Sequence, residues 1–404
     1  MRTCFFMLLT VLLGSCTLIA QEVEQANKRT LKVGDVPPPL QATRWLGGPE
    51  VQAFEPGKIY IVEFWATWCG PCIAMMPHLG DLQDHLGSTG TIIGFTAVDP
   101  GNSVEQITKF VEKRRSKLGY AIAYSENRDT YDAFMKGSGQ SGIPCSFVIG
   151  KDGKLAFIGH PLFLESVIPK VLDGTWDPSR DAEELAAADK LWDKTYATMN
   201  KPGDPMVQLA EWEEFNAKWP TLANDPYMNA ARLKLLIAAK RLSEAEKLAD
   251  SMLSKALERN DTFGLRSVCN ALGLERSNIQ PELVSLGTRA ANVGIEIEGE
   301  TSASFIRAAN AHAAAGDMAK SKEYGRKAVD AAQNELTNET DPKGILGIAA
   351  AHFAAGNLQT AKEYAEKAIS KVDEKNAGMK RYIAEQAKKF GAESNVSQEL
   401  DEKQ

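Results

Sequence analysis

The 404-residue chain predicts an α/β domain, a central mixed sheet flanked by helices, followed by an all-α helical-repeat domain. Three observations lead there. Between residues 59 and 172, short β-branched runs alternate with segments of helical spacing, the pattern of βαβ units and a partly parallel sheet. From Asp173-Gly174-Thr175-Trp176-Asp177-Pro178 onward, the composition shifts to Ala, Glu, Lys and Leu in helical periodicity with no convincing strand. In the C-terminal half, a stretch around Gly316 recurs around Gly356, an offset of 40 residues.

Residues 1–20 read as an export signal. Arg2 supplies a short positive start, and Phe5 to Leu13 is an apolar run too short to remain as a membrane-spanning helix. Cleavage after Ala20 would leave Gln21 first. A competing reading takes Leu13-Gly14-Ser15-Cys16 as similar to a bacterial lipobox, with Cys16 lipidated and anchoring the protein to a membrane. Plain export into the periplasm or cell envelope is favoured, because Thr17-Leu18-Ile19 carries the apolar run past Cys16. A buried N-terminal helix is the third alternative.

Residues 21–30 are a polar, flexible linker, 31–175 the α/β domain and 176–404 the helical domain. Within the first, 41–57 is hairpin-like, with turn signals at Gly47-Gly48 and Pro56-Gly57. Ile59 to Trp65 is a buried strand and 72–86 a helix. Residues 91–98 form a strand, Ser103 caps a helix to about Leu118, Tyr120 to Tyr124 is a short strand and 127–136 a helix. Pro144 lies inside the strand pattern Gly142 to Ile149, where proline is normally a strike against a strand. A turn at Lys151 to Lys154, a strand from Leu155 to Gly159 and a helix from Leu162 to Leu172 complete the domain.

In the helical region, Ala309 to Asp317 aligns with Ala349 to Asn357, Lys322-Glu323-Tyr324 with Lys362-Glu363-Tyr364, and Lys327-Ala328 with Lys367-Ala368. Each unit reads as helix, Gly-Asp or Gly-Asn turn, helix. Leu233 to Leu253 fits the same frame, with Lys240-Arg241 where the turn glycine would stand. Residues 263–292 suggest another hairpin, and the polar tail from Glu393 should fray. The pattern is similar to tetratricopeptide repeats with lengthened units. His312 and His352 occupy equivalent positions and read as packing residues, not metal ligands.

A formal charge of −7 and a pI near 5.5 argue against a nucleic-acid partner. Of six cysteines, Cys4 and Cys16 fall in the signal, leaving Cys69, Cys72, Cys145 and Cys269, too few for a disulfide scaffold. The chemistry centres on Cys69-Gly70-Pro71-Cys72, a Cys-x-x-Cys at a strand-to-helix junction. There backbone N–H groups and the helix dipole favour a thiolate, and a sulfur one turn later can close a disulfide. Pro71 suits a first helical turn. A zinc half-site would need a second ligand pair, yet the chain has no other Cys-x-x-Cys and no His-x3-His. A structural bridge needs neither flanking tryptophans nor a Gly-Pro spacer.

The run Phe64-Trp65-Ala66-Thr67-Trp68-Cys69-Gly70-Pro71-Cys72 resembles the active-site signature of the thioredoxin superfamily, and Ala66-Thr67 its exported TlpA/ResA branch. Leu31 to Leu40, with Val33-Gly34-Asp35-Val36-Pro37-Pro38, is similar to the Val-Gly-Asp-x-x-Pro entry segment of the TlpA-type and peroxiredoxin-type branches. Gly142-Ile143-Pro144 resembles the family loop whose Ile–Pro bond is cis and lies beside the cysteines. The resemblance implies a thiol–disulfide oxidoreductase. Cys69 is its more exposed, attacking sulfur and Cys72 the resolving one, with Trp68, Gly70, Pro71 and Pro144 around them. Glu63, in the middle of an apolar strand, stands where the family keeps a buried proton-accepting carboxylate; pairing with Lys58 is the alternative. The branch carries Glu three residues after the second cysteine, and here that residue is Met75. Cys145, where the loop normally has Thr, is either a third redox sulfur or an inert core residue, and Cys269 is a core residue.

Together these readings describe an exported reductant of protein disulfides, fed by an upstream electron donor. It needs no cofactor beyond its own disulfide and docks partners on its helical repeats. The rivals are a thiol peroxidase and an interaction scaffold whose redox domain is secondary. Ala66 stands three residues before Cys69, where a peroxidase signature has Thr.

Overall fold

The computed structural model describes residues 31–275, 279–373 and 376–392. The signal, the lipobox reading with Cys4 and Cys16, the 21–30 linker and the tail from Glu393 lie outside the described residues.

The sheet has six strands: β1 (Arg44–Gly47), β2 (Ile59–Phe64), β3 (Gly90–Ala97), β4 (Ala121–Ser125), β5 (Cys145–Ile149) and β6 (Leu155–Gly159). Their spatial order is β1-β4-β3-β2-β5-β6. Strands β2, β3 and β4 run parallel, and the other pairings are antiparallel. The parallel pairs are joined by α1 (Gly70–Leu86) and α2 (Val104–Leu118). Because β2, β3 and β4 step in one direction, right-handed crossovers put both helices on one face.

Phe64 organises the opposite face. Its ring lies 5.6–5.7 Å from those of Phe95, Tyr131, Phe134 and Phe147. These rings, with Tyr60, Val62 and Ile93, form a buried apolar layer. Ser103 caps α2 through a capping box. Its hydroxyl accepts from the Gln106 N–H at 3.2 Å, and the Gln106 side chain accepts from the Ser103 N–H at 2.8 Å.

Residues 41–57 do not form a hairpin. β1 pairs with β4, about 80 residues on. Gly48 takes a φ of +72° so close to β4 that a Cβ there would lie 2.5 Å from Ala121 Cα. The turn glycine serves a close strand approach, not a local reversal. The helix expected at 127–136 is a short turn, Asp129–Tyr131, continuing as a π-helical turn over Asp132–Lys136. After β6 comes α3 (Leu164–Asp173), preceded by a 3-10 turn at Pro161–Phe163.

From Pro178 the described chain is helical. The first compact unit reaches Pro202 and takes in Ala210–Met228; the second holds Gly203–Leu209 and everything from Asn229. The helix Pro178–Met199 therefore belongs to the sheet's unit, although composition changes before it. Lys170 of α3 meets Asp181 at 3.2 Å, holding that junction.

In the second unit, α4 (Ser302–Ala314) and α5 (Met318–Glu335) form one hairpin, α6 (Pro342–Ala354) and α7 (Leu358–Ser370) the next. Gly316 and Gly356 sit at φ +77° and +80°. The following N–H closes back on the His312 or His352 carbonyl at 2.9 Å, ending each first helix in a left-handed cap. Lys240 adopts φ +59° with the same closure, Arg241 N–H to Leu236 carbonyl at 2.9 Å. The weaker hairpin at 233–253 thus has the same turn without its glycine. His312 stacks on Tyr324 and His352 on Tyr364, each at 5.4 Å and 16°.

Candidate active site

β2 ends at Phe64 and α1 begins at Gly70, so the cysteine motif lies at the C-terminal edge of the parallel strands. Cys69 is the N-cap of α1, and its Sγ accepts the Cys72 N–H at 3.2 Å. Pro71 sits in the first turn, where its missing N–H would have had no helical partner. Cys69 and Cys72 are joined in a disulfide of 2.01 Å. Cys69 and Cys72 are 3% and 2% exposed, so in the disulfide state neither residue is open to solvent.

The Ile143–Pro144 peptide is cis. The Ile143 carbonyl oxygen stands 3.8 Å from Cys69 Sγ, so the loop reaches the disulfide. Trp68 is 60% exposed at the rim, against Gly101. Trp65 turns inward onto Phe110 of α2 at 5.3 Å.

Asn102 holds this loop from below, an assignment the sequence did not suggest. It is fully buried. Its side-chain oxygen accepts from the Thr67 N–H at 2.9 Å and hydroxyl at 2.7 Å, while its amide donates to Thr96 Oγ1 and the Ala97 carbonyl. In sequence it reads only as a turn residue before the Ser103 cap.

Glu63 is buried, and it shares the sheet face of Trp65 beneath α1 and α2. Its alternative partner is taken: Lys58 pairs with Glu55 at 2.7 Å. Burial pushes the Glu63 carboxyl up to about 8, against the opposing pull of a hydrogen bond from the Ser146 hydroxyl. Met75 is fully buried, so α1 offers no carboxylate at that position. Cys145 directly opposes Phe64 and packs in the aromatic layer, where burial pushes its thiol strongly up; it is a core residue here. Cys269 is likewise buried, its thiol pushed up to about 11.

Residues 33–158 match the model of the AhpC/TSA family. Protein FixW of Rhizobium leguminosarum is 30% identical over 155 residues, which cover 37% of this chain and 70% of that protein. Thiol-disulfide oxidoreductase ResA of Geobacillus thermodenitrificans is 28% identical over 155 residues, covering 38% and 83%. The thioredoxin domain of a thiol-disulfide oxidoreductase from Bacteroides vulgatus aligns at 24% identity over 31% of this chain and 86% of that one, with a TM-score of 0.27. With its six-stranded sheet and cysteine pair, the chain belongs to the AhpC/TSA family and is a thioredoxin-like thiol–disulfide oxidoreductase.

Proposed function

We propose that the protein reduces disulfides of other proteins, with Cys69 as nucleophile, Cys72 as resolving sulfur and Glu63 as proton acceptor. The carrying observation is the N-cap position of Cys69, whose sulfur accepts the Cys72 N–H. Once the pair is reduced, that bond and the helix dipole favour negative charge on this sulfur. The Cys69 thiolate attacks a substrate disulfide, and one substrate sulfur leaves as thiolate. Cys72 gives its proton to the Glu63 carboxylate and attacks Cys69 Sγ. The Cys69–Cys72 bond forms, and the second substrate sulfur leaves and is protonated. Two electrons pass to the substrate, and a dithiol donor returns them. The Gly-Pro spacer supports the reducing direction.

A peroxidase is less well supported. Ala66 holds the position of its threonine, and the Thr67 hydroxyl is committed to Asn102. Export rests on the Arg2 and Phe5–Leu13 pattern. Partner docking on the helical hairpins is supported by Met318 and Leu358, exposed apolar residues at equivalent positions of two units. Tethering such a surface to a reductase raises the local substrate concentration.

The test is trapping. Cys72→Ser should accumulate mixed disulfides with exported proteins and Cys69→Ser none; the reverse pattern would exchange the two roles. Adding Met318→Asp and Leu358→Asp to the Cys72→Ser protein should thin the trapped set. An unaltered set would reject docking there.

A further inference from the structure

We propose that Ser146 is a positioning residue that sets the pH at which Glu63 accepts a proton during resolution of the mixed disulfide. The inference rests on the reading of Glu63 given above and adds the group that controls it.

Glu63 and Ser146 are direct cross-strand partners in the antiparallel β2–β5 pair, so their side chains rise on the same face. Ser146 is completely buried. Its hydroxyl donates to Glu63 Oε2, while Oε1, also buried, has no hydrogen-bond partner among the described residues. The serine hydroxyl is thus the carboxylate's stabilising contact.

Among the described residues, no cation pairs with the Glu63 carboxyl. Trp65 Nε1, just past the end of β2, is buried without a hydrogen-bond partner among the described residues. Burial raises Tyr120, before β4, and Cys145, on β5, and the Glu63 charge raises them further. On α1, His78 pairs with Glu165 at 3.2 Å; on α2, the Arg114 guanidinium lies over Phe110. Gly94, beside Glu63 on β3, contributes no side chain.

The consequence follows from the two protonation states. A donated hydroxyl stabilises the carboxylate, whereas burial favours the acid. Removing the hydroxyl leaves burial unopposed, so the group would hold its proton to higher pH. Less carboxylate would then be available near neutrality to take the Cys72 proton.

The experiment follows the pH dependence of mixed-disulfide resolution in the full chain, with insulin as substrate. In parallel, the Glu63 carboxyl is titrated by infrared difference spectroscopy, its band assigned by its loss in Glu63→Gln. Ser146→Ala should raise both midpoints by on the order of one pH unit. Ser146→Thr, which keeps the hydroxyl, should return both to the wild-type value, separating the hydrogen bond from packing. An unmoved carboxyl midpoint in Ser146→Ala would overturn the proposal and leave the Glu63 reading standing. A carboxyl midpoint that moves while the rate profile stays fixed would overturn the Glu63 reading, and the proposal with it.

Discussion

Among the described residues two glutamates are buried, in different ways. Glu63, in the sheet, has a serine hydroxyl on one oxygen and nothing in the described protein on the other. Glu298, in the helical unit, is paired with two guanidinium groups: Arg266 at 2.8 Å and Arg307, itself 2% exposed, in direct contact. A buried charge met by opposite charge is a fixed part of the fold, and removing one partner exposes the full desolvation penalty. A buried carboxyl without a cation escapes that penalty by taking a proton. Without a cation, burial leaves the Glu63 carboxyl raised to about 8, within reach of neutral pH.

The largest expected effect breaks the paired case. Arg307→Ala should destabilise the helical unit by about 3–5 kcal/mol, measured by denaturant unfolding, because Glu298 stays buried with half its partners gone. Insulin reduction by protein that remains folded should be unchanged. If the variant is as stable as wild type, the pair is not structural and the contrast fails.

Glu63→Gln sharpens the other side. The folded-state value of about 8 lies above the ordinary 4.5, so the native state holds a proton that the unfolded chain releases. That stability is fully present below about 4.5 and is lost at about 1.4 kcal/mol per pH unit as pH rises through about 8. Glu63→Gln should flatten this slope and be the more stable protein above pH 8. It should also slow turnover at neutral pH by on the order of 10-fold. A wild-type slope in the variant, or a turnover unchanged across pH, would remove Glu63 from the proton-exchanging class.

Asn102→Ala should cost about 1–3 kcal/mol, since the half-buried Thr67 and the buried Thr96 groups lose their partner. It should also slow the reaction of Cys69 with a small disulfide, because the loop before the nucleophile is released. An unchanged rate would restrict Asn102 to stability. The smallest effect tests the irregular turn of the helical unit. Lys240→Gly should stabilise it by about 0.5–1 kcal/mol in thermal melts, relieving a left-handed backbone at a lysine. A loss of stability would mean that the Lys240 contact to Gln280, at 2.6 Å, outweighs the strain.

Much of the site was legible in the sequence because its chemistry is local. Cys69, Pro71 and Cys72 fall within one helical turn, and the cap forms between residues three apart. The Ser103 capping box and the Gly316 and Gly356 turns are equally local. The expected hairpin at 41–57 failed because Gly48 serves a contact with Ala121, which no nearby residue announces.

By itself, then, the sequence determined the redox pair, the helix it caps, the change from α/β to all-α and the repeated hairpins, since each depends on spacings of a few residues. Only the tertiary structure decided that Lys58 turns to Glu55, that Cys145 joins the aromatic layer, that Asn102 bonds Thr67 and that Ser146 bonds Glu63. The reason is strand register. Glu63 and Ser146 are 83 residues apart, and a slip of one residue would place Ser146 on the opposite face. Whether a buried carboxyl meets a hydroxyl, a cation or nothing is set by that pairing, and with it the pH at which the carboxyl ionises.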